Sequence, residues 1–212
     1  MSVQPMVNET LLDIAMSHAD KLILKAQSGD EDAFNKLVGL WYKRIYNYGF
    51  KYAGSHDLAM DIAQNTFINV HTKFGQLREA RSFKTWLYRI ATNCCYEELR
   101  KQRKISGISL GNNSNDDDET GTMEIESDIQ YRPDEKLQRQ ELAEIVMRGL
   151  QSLNEDQRMI VIMKEYEGLK FREIAEALEI SENTAKSRLY YGLKHLRSKL
   201  KYVISDNQME EL

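Results

Sequence analysis

Apolar residues recur at steps of three and four along most of the chain, and no convincing strict alternation interrupts them, so the pattern predicts an all-helical protein. Asp30 is placed to cap a helix whose inward face carries Ala33, Phe34, Leu37, Trp41, Ile45 and Tyr48. Gly54 suits the left-handed residue that ends it. Ser55 opens a second helix with Leu58, Ile62, either Phe67 or Ala63, and Val70 inward, and with Asp57, Asp61, Gln64, Asn65 and Asn69 outward. After the polar loop GQLREARS, a third helix from about Phe83 to Lys104 turns Trp86, Leu87, Ile90 and Cys94 inward. It ends on the basic run Arg100-Lys101-Gln102-Arg103-Lys104.

Residues 105–133 break this pattern, because Gly, Asn, Ser and Asp dominate there and apolar residues are sparse. The stretch reads as a flexible acidic linker, and a random coil of its length averages about 30 Å end to end. Pro133 and Asp134 then open a helix through Leu150, and Leu153 to Lys201 reads as a support helix followed by a helix-turn-helix. The expected organisation is therefore an extension at 1–18, a domain at 19–104, the linker at 105–133, a second domain at 134–204 and a tail at 205–212. The fold class is all-α, two small helical domains on a tether.

In the helix-turn-helix, Phe171 to Leu178 puts Ile174, Ala175 and Leu178 on one face, and Glu179-Ile180 makes the turn. Many such motifs place Gly at the turn; a left-handed residue other than Gly costs about 1 kcal/mol. Ser181 is the N-cap of the last helix, whose buried stripe is expected at Ala185, Leu189, Leu193, Leu196 and Leu200. Its free face carries Lys186, Arg188, Lys194, Arg197, Lys199 and Lys201 with no acidic residue from Thr184 to Lys201, which suits a helix laid against phosphates. Ser187, Tyr190 and Tyr191 stand at its tip for base edges.

The net charge of −4 argues against nucleic acid only until it is divided. Residues 105–135 alone hold −8, whereas residues 1–104 hold +4 and 136–212 are neutral. Residues 78–104 carry +5 with Phe83, Trp86 and Tyr88 among the charges. Aromatics interleaved with cations suit a single strand, whose bases stack while its backbone is neutralised. At this spacing Phe83 and Trp86 also read as core residues. Adjacent Cys94 and Cys95 point about 100° apart on a helix and form no metal pattern, so they read as two semi-buried thiols. No paired carboxylates, His-metal spacing, nucleophile elbow or phosphate-binding Gly loop occurs, so the expectation is no enzyme, no metal and no cofactor. With no signal peptide and no apolar run near 18 residues, a soluble cytoplasmic protein without membrane insertion is expected.

The order of segments DLAMDIAQNTFINV, FKTWLYRIATNCCYEELRKQRK, LNEDQR, GLKFREIAEAL and SENTAKSRLYYGLKHLR resembles the extracytoplasmic-function sigma factors of bacterial RNA polymerase, over about 150 residues of both domains. The resemblance implies a sigma region 2 bundle and a sigma region 4 helix-turn-helix that together confer promoter recognition on core RNA polymerase. It implies clamp-helix contacts on the largest subunit by Asp57, Asp61, Gln64 and Asn65, and a contact of the second domain with the flap of the second-largest. For the melted minus-10 strand it implies the Phe74–Phe83 loop with Lys84, Trp86, Asn93, Arg100 and Arg103. For minus-35 duplex DNA it implies Lys186, Ser187, Tyr190 and Tyr191 at bases, with Lys170, Arg172, Thr184 and Arg188 at phosphates. An anti-sigma factor is a further implied partner. Asn183 stands where the family usually has Gly, Ala185 where it has Val and Tyr191 where Arg is common. Tyr cannot make the bidentate guanine contact of Arg, so a shifted minus-35 preference is expected.

Two other functions fit parts of the pattern. A stand-alone helix-turn-helix regulator with a helical sensing or dimerisation domain would bind duplex DNA without polymerase. An adaptor that binds polymerase without reading promoters would keep the 57–70 helix but not need the basic recognition face.

Overall fold

The computed structural model describes residues 18–108 and 133–207. Most of the predicted extension and linker, and the end of the tail, lie outside the described residues. Among those described there are no strands. The elements are α1 (His18–Gln27), α2 (Glu31–Ala53), α3 (His56–Lys73), two 3-10 turns (Phe74–Gln76 and Ala80–Ser82), α4 (Phe83–Ile108), α5 (Pro133–Gln151), α6 (Glu155–Val161), a π turn (Ile162–Tyr166), α7 (Phe171–Leu178) and α8 (Glu182–Asn207).

Capping residues set the boundaries. Asp30 accepts from the Ala33 N–H at 2.9 Å, and Gly54 closes α2 at φ 76°, where a residue with a Cβ is strained. Asn154 accepts from the Gln157 N–H at 2.9 Å and starts α6; Ser181 accepts from the Thr184 N–H at 3.0 Å and starts α8. The turn before α8 is left-handed at Glu179, φ 54°, without glycine. Helix α1 is an element that the sequence pattern did not single out, α4 runs four residues into the expected linker, and α8 continues past residue 204.

Helices α2, α3 and α4 pack around Ile45, Tyr48, Ile62, Ala63, Phe67, Val70, Leu87 and Ala91. Both Ala63 and Phe67 are buried, so the two alternatives coexist. A Cβ on Gly49 would come within 3.1 Å of the Ile62 side chain, which is how α2 and α3 approach so closely. In the second domain Met159, Ile160, Ile162, Met163, Leu169, Ile174, Ala177, Ala185 and Leu189 form the core. The predicted stripe on α8 drifts. Leu193 is 40% exposed and Gly192 takes its place, its hydrogen facing Val161. At 100° per residue Gly192 lies within about 20° of Ala185, while Leu193 lies about 80° away.

The two domains share one continuous core. The Tyr48 hydroxyl donates to the Met159 sulfur and lies 2.9 Å from the Thr92 hydroxyl. Arg158 is buried and donates to Tyr52 O of the first domain at 2.7 Å. Cys94 and Cys95 are both buried, not semi-buried, because their neighbours on α2 and α3 cover each of the two directions.

Burial pushes the phenols of Tyr48, Tyr52 and Tyr88 well above their ordinary value, and burial together with Asp156 lifts Tyr96 to about 12. A phenol that ionises near pH 10 when unfolded but later when folded contributes stability that is complete below about pH 10 and is lost as pH rises through the folded value. Lys51 and Arg158, lowered by burial, act in the opposite sense but are two against six raised phenols, Tyr46 and Tyr166 included. The urea midpoint should therefore fall between about pH 10 and 12, with phenolate absorbance appearing at unfolding; an unchanged midpoint across that window contradicts this packing. Burial also raises both thiols. An alkylating reagent at neutral pH should modify the folded protein at least about tenfold more slowly than the unfolded chain.

Candidate nucleic-acid interface

Helix α3 packs one side on α2 and α4 and leaves a strip to solvent. Asp57, Asp61 and Gln64 are exposed on it, as expected, with Met60 at 44% and Ile68 at 62% exposure among them. These five positions fall within about 100° of helix circumference. The two apolar members were missed in the sequence pattern, although the same helical arithmetic locates them. Asn65 lies off this strip. Its amide donates to Glu98 Oε1 at 2.9 Å, and Lys101 pairs with the same oxygen at 2.7 Å, so Asn65 braces α3 to α4 and is half-buried, not an outward residue. Asn69, also expected outward, is half-buried and donates to Asn65 O at 2.9 Å.

At the other end of α3 the chain turns into the loop before α4. Phe74, Phe83 and Trp86 form a triangle with centroids 5.9 to 6.2 Å apart. Phe74 and Phe83 are buried, so they anchor the loop from inside; Trp86 is half-buried. Gln27 of α1 donates to Phe74 O at 3.3 Å and also to Leu77 O, closing the loop from behind. That contact spans 47 residues and has no local signal. Arg81 pairs with Glu79 at 2.7 Å on the exposed rim. Farther along α4, Asn93 and Arg100 are exposed and line a depression of about 290 Å³ with Lys73 and Asn69.

The remaining α4 candidates are engaged by the second domain. Lys84 Nζ donates to Glu167 O at 3.1 Å, and Arg103 pairs with Glu155. Arg89, not singled out in the sequence, pairs with Glu179.

On α8 the tip is open. Tyr190 and Tyr191 are 64% and 57% exposed and meet edge to face at 5.5 Å. Lys186 is exposed, 3.8 Å from Glu182 and 5.6 Å above the Phe171 ring. Ser187 is exposed and returns its O–H to Asn183 O at 2.7 Å. Thr184 serves the cap, its hydroxyl 2.8 Å from that of Ser181. Arg188 is half-buried and pairs with Asp156 at 2.7 Å, so its guanidinium braces α8 to α6. Lys170 and Arg172 are exposed at the start of α7, where the Lys170 N–H donates to Glu173. Among the described residues no group of His, Cys, Asp and Glu could hold a metal ion, and no helix is long and apolar enough to cross a membrane.

Residues 37–105 match the family described as Sigma-70 region 2, and residues 143–196 match Sigma-70, region 4. The region 2 match lies on the first domain, which leaves a stand-alone regulator with a sensing domain unfavoured. The chain is 29% identical to the ECF RNA polymerase sigma factor SigW of Bacillus subtilis (strain 168) over 186 residues, covering 85% of this chain and 96% of that protein. It is 30% identical to the ECF RNA polymerase sigma-E factor of Escherichia coli (strain K12), covering 86% and 94%. The fold is similar to CnrH in its complex with the cytosolic domain of CnrY, with a TM-score of 0.63, 20% identity and coverage of 88% and 99%. It is also similar to the sigma factor RpoE bound to the anti-sigma factor NepR from Bartonella quintana, with a TM-score of 0.62, 21% identity and coverage of 79% and 96%. The chain thus belongs to the ECF RNA polymerase sigma factors, and its function is promoter-specific initiation of transcription.

Proposed function

We propose that this sigma factor works through three of its own surfaces and catalyses no reaction itself. The α3 strip of Asp57, Met60, Asp61, Gln64 and Ile68 docks on the clamp helices of core polymerase. Carboxylates complement a basic coiled coil, while the two exposed apolar side chains supply the desolvated centre that such an interface needs. Residues 19–104 then hold the opened minus-10 strand with Trp86, Asn93 and Arg100, and residues 134–204 read minus-35 duplex with Lys186, Ser187, Tyr190 and Tyr191. Strand opening is driven by binding free energy, because a base taken out of the stack regains contacts in the protein. The observation that carries the reading is the coexistence, on one chain, of an unpartnered acidic and apolar helix strip with an exposed aromatic and basic helix tip.

A protein that acts on bacterial RNA polymerase works in the cytoplasm. The solved complexes of CnrH with CnrY and of RpoE with NepR support an anti-sigma protein as a further partner of this chain.

Run-off transcription with purified core polymerase on a fragmented genomic template should give discrete start sites. In the double variant Asp61→Ala, Gln64→Ala, affinity for core polymerase should fall about 30-fold, about 2 kcal/mol, if these residues are central to the interface. Both side chains are exposed, so the thermal midpoint should hold. Unchanged polymerase affinity would refute the assignment. At the other surface, Tyr191→Arg should move the minus-35 preference toward a guanine by about tenfold, read by selection of holoenzyme on a randomised element. A preference that stays put removes Tyr191 from the base-reading set.

A further inference from the structure

Buried side chains fix where the loop between α3 and α4 sits, but not how its peptides are turned. Phe74, Leu77 and Phe83 are buried, and Phe34 of α2 meets the Phe74 ring edge to face at 6.0 Å. Apolar burial is non-directional, so it leaves the peptide planes next to these side chains free to rotate. Within the loop each 3-10 turn closes on itself, the Leu77 N–H on Phe74 O at 3.1 Å and the Ser82 N–H on Glu79 O at 3.0 Å. Neither bond joins one turn to the other. Between them lie Leu77, Arg78 and Glu79, with Leu77 and Glu79 in extended backbone, so a rotation at Leu77 would re-aim the exposed Arg78, Glu79 and Arg81 that follow.

The restraint comes from α1. The Gln27 side-chain amide has two N–H groups and meets two carbonyls, Phe74 O at 3.3 Å in the first 3-10 turn and Leu77 O just beyond it. Hydrogen bonds are directional, so this pair fixes how both peptides are turned. Gln27 is itself held. It is the last residue of α1, a helix that packs on α2 and on the second 3-10 turn and has Ile23 and Ala26 buried. Left-handed Gly29, φ 94°, then folds the chain back so that the Asp30 N–H reaches Lys25 O at 3.1 Å. We propose that Gln27 is a positioning residue for minus-10 selection: without touching DNA, it sets the loop in the shape that receives an unstacked base of the opened strand. A base-reading pocket works only when its groups stay within about 0.5 Å of their productive places, which apolar contacts alone do not enforce on a loop. The assignment rests on the proposed strand-binding role of the first domain and of this loop.

Two carbonyls face Gln27, so only a donor suits the position, and this separates its chemistry from its packing. In the full chain, Gln27→Met keeps the bulk and loses the donor, Gln27→Glu offers only acceptors, and Gln27→Lys restores a donor. Holoenzyme carrying Gln27→Met should select a randomised minus-10 element with its preference relaxed about tenfold, on the scale of one to two ordinary hydrogen bonds. Its minus-35 preference and its affinity for core polymerase should hold. In the free protein, tryptic cleavage after the exposed Arg78, read by mass, should quicken by a similar factor. Gln27→Glu should behave like Gln27→Met, and Gln27→Lys should recover both readouts. Should Gln27→Met fail to fold, Gln27→Glu against Gln27→Lys decides, since both are polar and they differ in donation. An unchanged minus-10 preference overturns the proposal, as does an unmoved cleavage rate, a lower transcript yield with the preference intact, or a Gln27→Lys no better than Gln27→Glu. Failure of the strand-binding reading itself shows separately, as run-off transcription unaffected by Trp86→Ala and Arg100→Ala.

Discussion

One buried guanidinium holds this molecule together. Arg158 donates to Leu150 O at 2.9 Å, Gln151 O at 2.8 Å, Leu153 O at 3.0 Å, Gln151 Oε1 at 2.6 Å and Tyr52 O at 2.7 Å. The last carbonyls of α5 have no partner within their own helix, and a planar fork of five donors on α6 meets that need. Burial lowers its proton affinity, and the ring of carbonyls supplies the negative potential that keeps the charge tolerable. No carboxylate is required. Because one acceptor, Tyr52 O, belongs to α2, the group that ends α5 also ties the second domain to the first.

From that anchor the other interfaces follow in order. Gln151 donates to Lys51 O at 3.1 Å, Met159 reaches Tyr48, and the π turn after α6 carries Glu167 to Tyr88 and Arg44. Each step sets a polar group of one domain on a buried acceptor or donor of the other. Contacts of this kind are costly to leave half-made, so they favour a well-defined closed arrangement. The exposed surfaces lie outside this seam, at α3 and at the tip of α8, where partners can reach them.

The capping residues Asp30, Gly54, Ser55 and Ser181, the bounds of α7 and the outward Asp57, Asp61 and Gln64 were all legible, because each rests on a neighbour within four residues. Leu193 stood at the edge of its stripe, about 80° from Ala185, where helical arithmetic already favoured Gly192 against Val161. Asn65 was misplaced for the opposite reason, because its fate depends on a partner, Glu98, 33 residues away. Phe83 carried both a stacking and a core reading, whereas Phe74 was expected only at the minus-10 strand. Packing against Trp86, Phe34 and Trp41 decided for the core.

Among the α4 cations, the family resemblance marked Lys84, Arg100 and Arg103 alike as strand contacts on a basic helix. Tertiary structure separates them: Arg100 faces solvent, while Lys84 and Arg103 meet acceptors 83 and 52 residues away. The sequence by itself determined the helices from α2 onward, most of their capped ends and the family chemistry they carry, because helix period and caps are local and the motif order is linear. Which charges stay free, and that the two domains close on one another, was decided only in three dimensions, where a buried polar group must find whichever partner the packing brings to it.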